Sequence, residues 1–210
     1  MQESSLLFVL RHGQTAWNAE QRIQGQRDVP LDAAGEWQAQ RLAQALAGVG
    51  ISALYSSDLQ RAQQTAAPLA ALLGLEPVLD CGLRERGFGS FEGCTYAEIE
   101  ARWPEQALRW RRREPGFGPG GGEPLQDFYE RSVQTVLRLA AAHPGQTVAV
   151  VAHGGVLDCL YRAAARIPLQ GSRTWELRNA AINRLLWTPQ GLALVGWNDC
   201  GHLEAGPTIV

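Results

Sequence analysis

Two separate runs of aliphatic and β-branched residues end in the same pair, a histidine followed by a glycine. They are Leu6-Leu7-Phe8-Val9-Leu10-Arg11-His12-Gly13 and Val148-Ala149-Val150-Val151-Ala152-His153-Gly154-Gly155. Uninterrupted apolar runs of this length suit parallel strands covered on both faces, and open α/β sheets place their chemistry at the carboxyl ends of such strands. Two imidazoles delivered to one sheet edge constrain the fold and the site together.

The intervening sequence supplies the helices that such a sheet needs. Asp32 is placed to cap a helix from about Ala33 to Ala47. The short strand Ala53-Leu54-Tyr55-Ser56 leads to Ser57, a cap for a helix from about Asp58 to Leu73 that Gly74 closes. Pro77-Val78-Leu79 reads as a third strand. Helices over about Pro124–Ala142 and Val156–Ala165 flank the second histidine strand. Thr174–Leu177, Ala181–Trp187 and Leu192–Trp197 read as extended, with Pro189-Gln190-Gly191 as the turn between the last two. This alternation predicts a three-layer α/β/α sandwich with a mostly parallel central sheet, as one domain over residues 1–210. The alternation lapses at about 86–123. Helices near Tyr96–Trp103 and Pro104–Arg113 and the glycine-rich Pro115–Gly122 read there as a lid or substrate-binding insertion.

Charge and cysteine content narrow the function classes. The chain carries 19 basic against 21 acidic side chains, and every basic one is arginine. No whole-molecule field favours nucleic acid or an anionic membrane, so recognition of an anion has to be local. Cys81, Cys94, Cys159 and Cys200 lack C-x-x-C spacing, which argues for reduced thiols, no metal site and a cytoplasmic location. No apolar run approaches the ~20 residues of a membrane span. Arg109 and Arg111 to Arg113 read as a solvated helical face, with steering of an acidic substrate as the alternative, and Trp103 and Trp110 as packing within the insertion, with the border of the substrate pocket as the alternative.

Successive strand ends bring polar groups to one edge: Arg11 and His12 from the first, Arg61 from the helix after the second, Glu85 after the third, His153 from the fourth. This mixture suits a phosphate monoester. Arginine forks match phosphate oxygens bidentately, and a unit-charge pair at 4 Å is worth on the order of 4 kcal/mol at an effective dielectric of ~20. The glycines after each histidine, Gly154 among them, let backbone N–H groups at a helix start approach the anion. A carboxyl group can protonate a leaving oxygen. No serine or cysteine elbow competes, so neutral His12 is the candidate nucleophile, attacking phosphorus in line to leave a phosphohistidine that water cleaves.

At these residues the chain resembles the histidine phosphatase superfamily, in the branch that includes the cofactor-dependent phosphoglycerate mutases. The matching motifs are Leu10-Arg11-His12-Gly13-Gln14-Thr15 with Trp17-Asn18, then Ser56-Ser57-Asp58-Leu59-Gln60-Arg61-Ala62, then Leu83-Arg84-Glu85. Further on come Gly121-Gly122-Glu123, His153-Gly154-Gly155-Val156, Asn179-Ala180-Ala181-Ile182-Asn183 and Trp197-Asn198-Asp199. The resemblance implies that His12 is phosphorylated, that Glu85 is general acid and then base, and that Arg11, Arg61 and His153 form the phosphate pocket. It makes Asn18 a further contact and implies neither metal nor organic cofactor. The stretch Arg86-Gly87-Phe88-Gly89-Ser90-Phe91-Glu92-Gly93 has the form seen in the shorter phosphatases. Net hydrolysis of a small phosphorylated metabolite is therefore expected, with phosphoglycerate mutase-type transfer and a non-catalytic phospholigand-binding protein as alternatives. The organic half of the substrate is not legible, and homodimerisation stays open.

Overall fold

The computed structural model describes residues 4–204, so the outer ends of the expected 1–210 domain lie outside the described residues. Its elements are β1 (Ser5–Arg11), α1 (Ala16–Ala19), α2 (Ala33–Ala45), β2 (Ile51–Ser56), α3 (Gln60–Leu73), β3 (Val78–Leu79) and α4 (Tyr96–Arg102). There follow α5 (Pro104–Arg111), α6 (Leu125–Ala141), β4 (Thr147–Ala152), α7 (Gly154–Ala165), β5 (Ile182–Thr188) and β6 (Gly191–Asp199). The six strands form one sheet in the order β3-β2-β4-β1-β5-β6. β1 to β4 are parallel, and β5 and β6 add an antiparallel hairpin beside β1.

Alternation along the central strands explains the three layers, because successive side chains point to opposite faces. Phe8, Leu10, Ala149 and Val151 pack against Leu42 of α2 and Ala62, Ala66 and Leu69 of α3. Leu7, Val9, Val148 and Val150 pack against Val136 and Leu139 of α6 and Leu157 and Leu160 of α7. Each buried Leu or Val contributes roughly 1.5–3 kcal/mol by transfer from water. A strand with helices on both faces has no solvent side, which is why both histidine runs read as continuously apolar.

Register brings the two histidines together. Arg11 pairs with Ala152 across β1 and β4, so His12 and His153 leave adjacent strands at the same level. α2, in the connection that leaves β1, lies on one face and α7, after β4, on the other, which makes the gap between these strands a topological switch point.

Two local expectations differ from the structure. Ser57 does not cap α3, which starts at Gln60. Its first N–H is met instead by Asp28 Oδ1 at 2.6 Å. Thr174–Leu177 pairs with no strand, because its carbonyls are taken by side chains: Leu177 O accepts from Arg11, and Glu176 O accepts from Trp197 Nε1. The 86–123 stretch carries α4, α5 and its own cluster of Phe91, Cys94, Ile99 and Ala107, with Trp103 and Trp110 packed against it. No helix among the described residues is long and apolar enough to cross a membrane.

Candidate active site

A cavity of about 1250 Å³ opens at the carboxyl ends of the parallel strands. Arg11, His12, Asn18, Arg61, Glu85 and Gly154 all contribute to its wall. His153 lies behind His12: it is fully buried, with ring centroids 5.1 Å apart and planes tilted by 57°. The sequence-derived set is thus gathered in one place, with His153 as its inner layer.

His12 is oriented by backbone groups. Its Nδ1 lies 2.7 Å from Gly13 O, and a carbonyl can only accept, so Nδ1 carries the proton and Nε2 keeps its lone pair. The His12 carbonyl accepts from Asn179 Nδ2 at 3.0 Å, and the Gly13 N–H donates to Thr65 Oγ1 at 2.9 Å. Burial, then Arg61 and Arg11, hold the imidazole well below its ordinary pKa. Burial, then Arg61 and His12, do the same to His153. Both rings are therefore neutral at neutral pH.

The arginines are held by carbonyl oxygens rather than carboxylates. Arg61 is fully buried and donates from Nη1 to Arg27 O and from Nη2 to Gly25 O, both at 2.8 Å. Burial pulls its pKa down to about 10, so it stays charged. Arg11 donates to Leu177 O, and burial lowers it as well. The Nε atoms of both arginines are buried without a partner, as is His153 Nδ1. Two buried guanidinium N–H donors left open beside one cavity, with an unpartnered imidazole nitrogen behind them, form an arrangement completed by an oxyanion.

Glu85 faces this cationic set. Its Oε2 accepts from the Gly155 N–H and its Oε1 from the Arg86 N–H, each at 2.9 Å. A Cβ at Gly155 would stand 2.1 Å from Glu85 Oε1, so only glycine permits this approach. At Gly13 the constraint is different: a Cβ there would meet Gly35 O of α2 at 2.6 Å, which makes that glycine a packing requirement.

A profile of the histidine phosphatase superfamily, branch 1, matches residues 7–200. This chain belongs to that superfamily. Phosphoglycerate mutase-like protein 4 of Arabidopsis thaliana is 40% identical over 208 residues, covering 94% of this chain and 86% of that protein. A probable phosphoglycerate mutase of Cronobacter sakazakii is 35% identical over 208 residues, covering 95% of each. Among solved structures, a mycobacterial glucosyl-3-phosphoglycerate phosphatase complexed with VO3 is similar with a TM-score of 0.83 at 35% identity, covering 93% of this chain and 99% of that one. The named relatives divide between mutase and phosphatase.

The site of this superfamily member also draws on residues to which sequence reasoning gave no role or a different one. Asn18 sits in a capping box, with its Oδ1 accepting from the Thr15 N–H at 3.1 Å and from Asn179 Nδ2 at 3.2 Å, which leaves its own Nδ2 as the group open to a ligand. Asn179 stood in a matching motif, and its contacts to His12, Gly13 and Asn18 show what it does. Ser57 Oγ lies 2.8 Å from His153 Nε2 and accepts from the Leu59 N–H at 3.3 Å, so the hydroxyl ties the site to the chain just before α3 instead of capping that helix. The arginine run 109–113 divides. Arg109 and Arg111 pair with Glu114 and Glu100 on the surface, as a solvated face requires. Arg113 turns inward at φ 52° to meet the buried Asp158 at 2.7 Å. Trp110, besides packing the insertion, contributes to the cavity wall. Among the described residues no group of acidic, histidine or cysteine side chains is arranged to hold a metal ion.

Proposed function

We propose that this enzyme hydrolyses a small phosphomonoester through a phosphohistidine on His12. The observation that carries the reading is the Nδ1–H bond to Gly13 O, which leaves His12 Nε2 a free base beside the open Nε–H groups of Arg11 and Arg61. In the first step the Nε2 lone pair forms a bond to phosphorus as the ester P–O bond breaks, and the leaving oxygen takes a proton from Glu85. In the second, Glu85 takes a proton from water, the water oxygen bonds to phosphorus, and the P–N bond breaks. Arg11 and Arg61 hold the phosphoryl oxygens through both steps. If the Ser57 hydroxyl donates to His153 Nε2, the proton on Nδ1 becomes a further donor to the anion. The Gly154 N–H, at the start of α7, adds the helix terminus. In this reading the 86–123 insertion serves as the lid.

No step calls on a metal, so activity toward p-nitrophenyl phosphate is expected to survive EDTA and to vanish in His12→Ala. Equal activity in the two proteins would remove His12 from the chemistry. Phosphoglycerate mutase activity, suggested by the names of two relatives, is tested by supplying 3-phosphoglycerate with catalytic 2,3-bisphosphoglycerate. Hydrolysis predicts inorganic phosphate as the product, and accumulation of 2-phosphoglycerate would overturn it. Turnover of any phosphomonoester rules out a purely ligand-binding role.

A further inference from the structure

The cavity holds more positive charge than one phosphate monoester uses. Eight arginines contribute to its wall against three carboxylates, Glu85, Asp158 and Glu176. Arg22, Arg111 and Arg113 are paired, with Glu98, Glu100 and Asp158 respectively. Arg11 and Arg61 belong to the phosphate pocket, and Arg86 is committed to Phe117 O and Glu123 O. Arg173 and Arg178 remain. Neither side chain has a hydrogen bond or ion pair among the described residues, and Glu176, between them in sequence, accepts from Asn198 Nδ2.

Arg173 is presented by an anchored backbone. Asp158 Oδ2 holds the fully buried Arg162 at 2.9 Å, and Arg162 Nη1 donates to Pro168 O at 2.7 Å and Gly171 O at 2.9 Å. Arg113 donates to Leu169 O from the insertion side. Past Arg173, the Trp175 ring stacks on Tyr161 at 4.0 Å and lies 4.9 Å from the Arg162 guanidinium. Residues 172–174 thus span two fixed points, with the Arg173 side chain free at the cavity wall. Its charge acts on both Arg11 and the Tyr96 phenol, which places it within electrostatic reach of the phosphate pocket. Cations crowded without counter-charge repel one another, and an anion between them relieves that repulsion.

We propose that Arg173, with Arg178 on the same segment, binds a second anionic group of the substrate, so that the preferred substrates are phosphomonoesters that also carry a carboxylate or a second phosphate. This rests on the phosphatase reading of the same site and names its substrate class.

The test is a ratio of affinities measured by calorimetry at low salt in a His12→Ala background, where nothing turns over. One pair is 3-phosphoglycerate and glycerol 3-phosphate, which share a three-carbon skeleton and a phosphate and differ by a carboxylate. The other is fructose 1,6-bisphosphate and fructose 6-phosphate, which differ by a phosphate. In at least one pair the doubly anionic member should bind about tenfold more tightly or better, a ratio that added salt narrows. The pair that responds identifies the second anion. Adding Arg173→Gln should reduce the ratio to under about threefold, and Arg173→Lys should keep part of it. Taking a ratio cancels any general damage to the phosphate pocket. Equal affinities within both pairs, or a ratio unchanged by Arg173→Gln, would overturn the inference. Absence of turnover by the wild-type enzyme would instead sink the phosphatase reading while the ratio still decided the second site.

Discussion

Replacing Gly155 with alanine isolates the proton donor from the rest of the site. The new methyl would stand 2.1 Å from Glu85 Oε1 and 3.0 Å from two carbons of the Phe128 ring, whereas ordinary contact begins near 3.4 Å. The Phe128 contact closes one escape, so the carboxyl group has to retreat by roughly 1 Å, and the 2.9 Å bond from the Gly155 N–H is lost or bent. Misplacement on that scale costs about 10²-fold in rate, within the roughly 10²–10⁴-fold that general acid catalysis supplies. The loss should depend on the leaving group. A p-nitrophenolate leaves with little protonation, whereas an alkoxide needs the proton, so kcat/KM, which reports phosphoryl transfer to His12 and not the later hydrolysis, should fall about 10²-fold for an alkyl phosphate and about tenfold or less for p-nitrophenyl phosphate. Gly116→Ala is the control, since nothing lies within 4 Å of the position its methyl would take. An equal loss for both leaving groups, or no loss with the substitution confirmed, would refute the assignment of Glu85 as the acid.

The other outcomes follow from the same geometry. Arg61→Lys keeps a charge but cannot reach Gly25 O and Arg27 O while also forking to phosphate, so kcat/KM should drop by roughly 10–100-fold, the worth of one or two charge-assisted bonds. His12 and His153 are both depressed below the ordinary imidazole value of 6.5, so below that pH the unfolded chain takes up protons that the folded one refuses. Stability should therefore be whole above about pH 6.5 and decline as the pH falls, read as a Tm that drops in calorimetry and drops less in His12→Asn. Asp158→Ala strands the fully buried Arg162 and should cost about 3–5 kcal/mol in denaturant unfolding, whereas a surface pair such as Arg111–Glu100 should cost under about 1 kcal/mol.

The parts of this molecule legible in its sequence are those set by local pattern. The runs ending at His12 and His153 announce doubly covered strands because their apolar side chains alternate between the two helix layers, and the loops that follow carry the site. What stayed hidden depends on partners distant in the chain. Ser57 has the local signature of a helix cap, but His153, 96 residues away, captures its hydroxyl. Thr174 to Leu177 has the composition of a strand, yet Arg11 and Trp197 take the carbonyls that a ladder would need. Arg113 looks no different from Arg109 and Arg111 until the chain turns left-handed after α5 and aims it at Asp158. The role of Gly155 is a distance to Glu85, a residue 70 positions earlier, which no spacing rule contains.

Phosphoryl transfer to His12 is tested most directly by trapping. Mixing the enzyme with a radiolabelled phosphomonoester, quenching in alkali to preserve phosphoramidate bonds, and mapping the labelled peptide should place phosphate on Nε2 of His12, with no label retained in His12→Ala. Label found on another side chain, or turnover with no covalent phosphate in a protein whose His12 is intact, would contradict the mechanism.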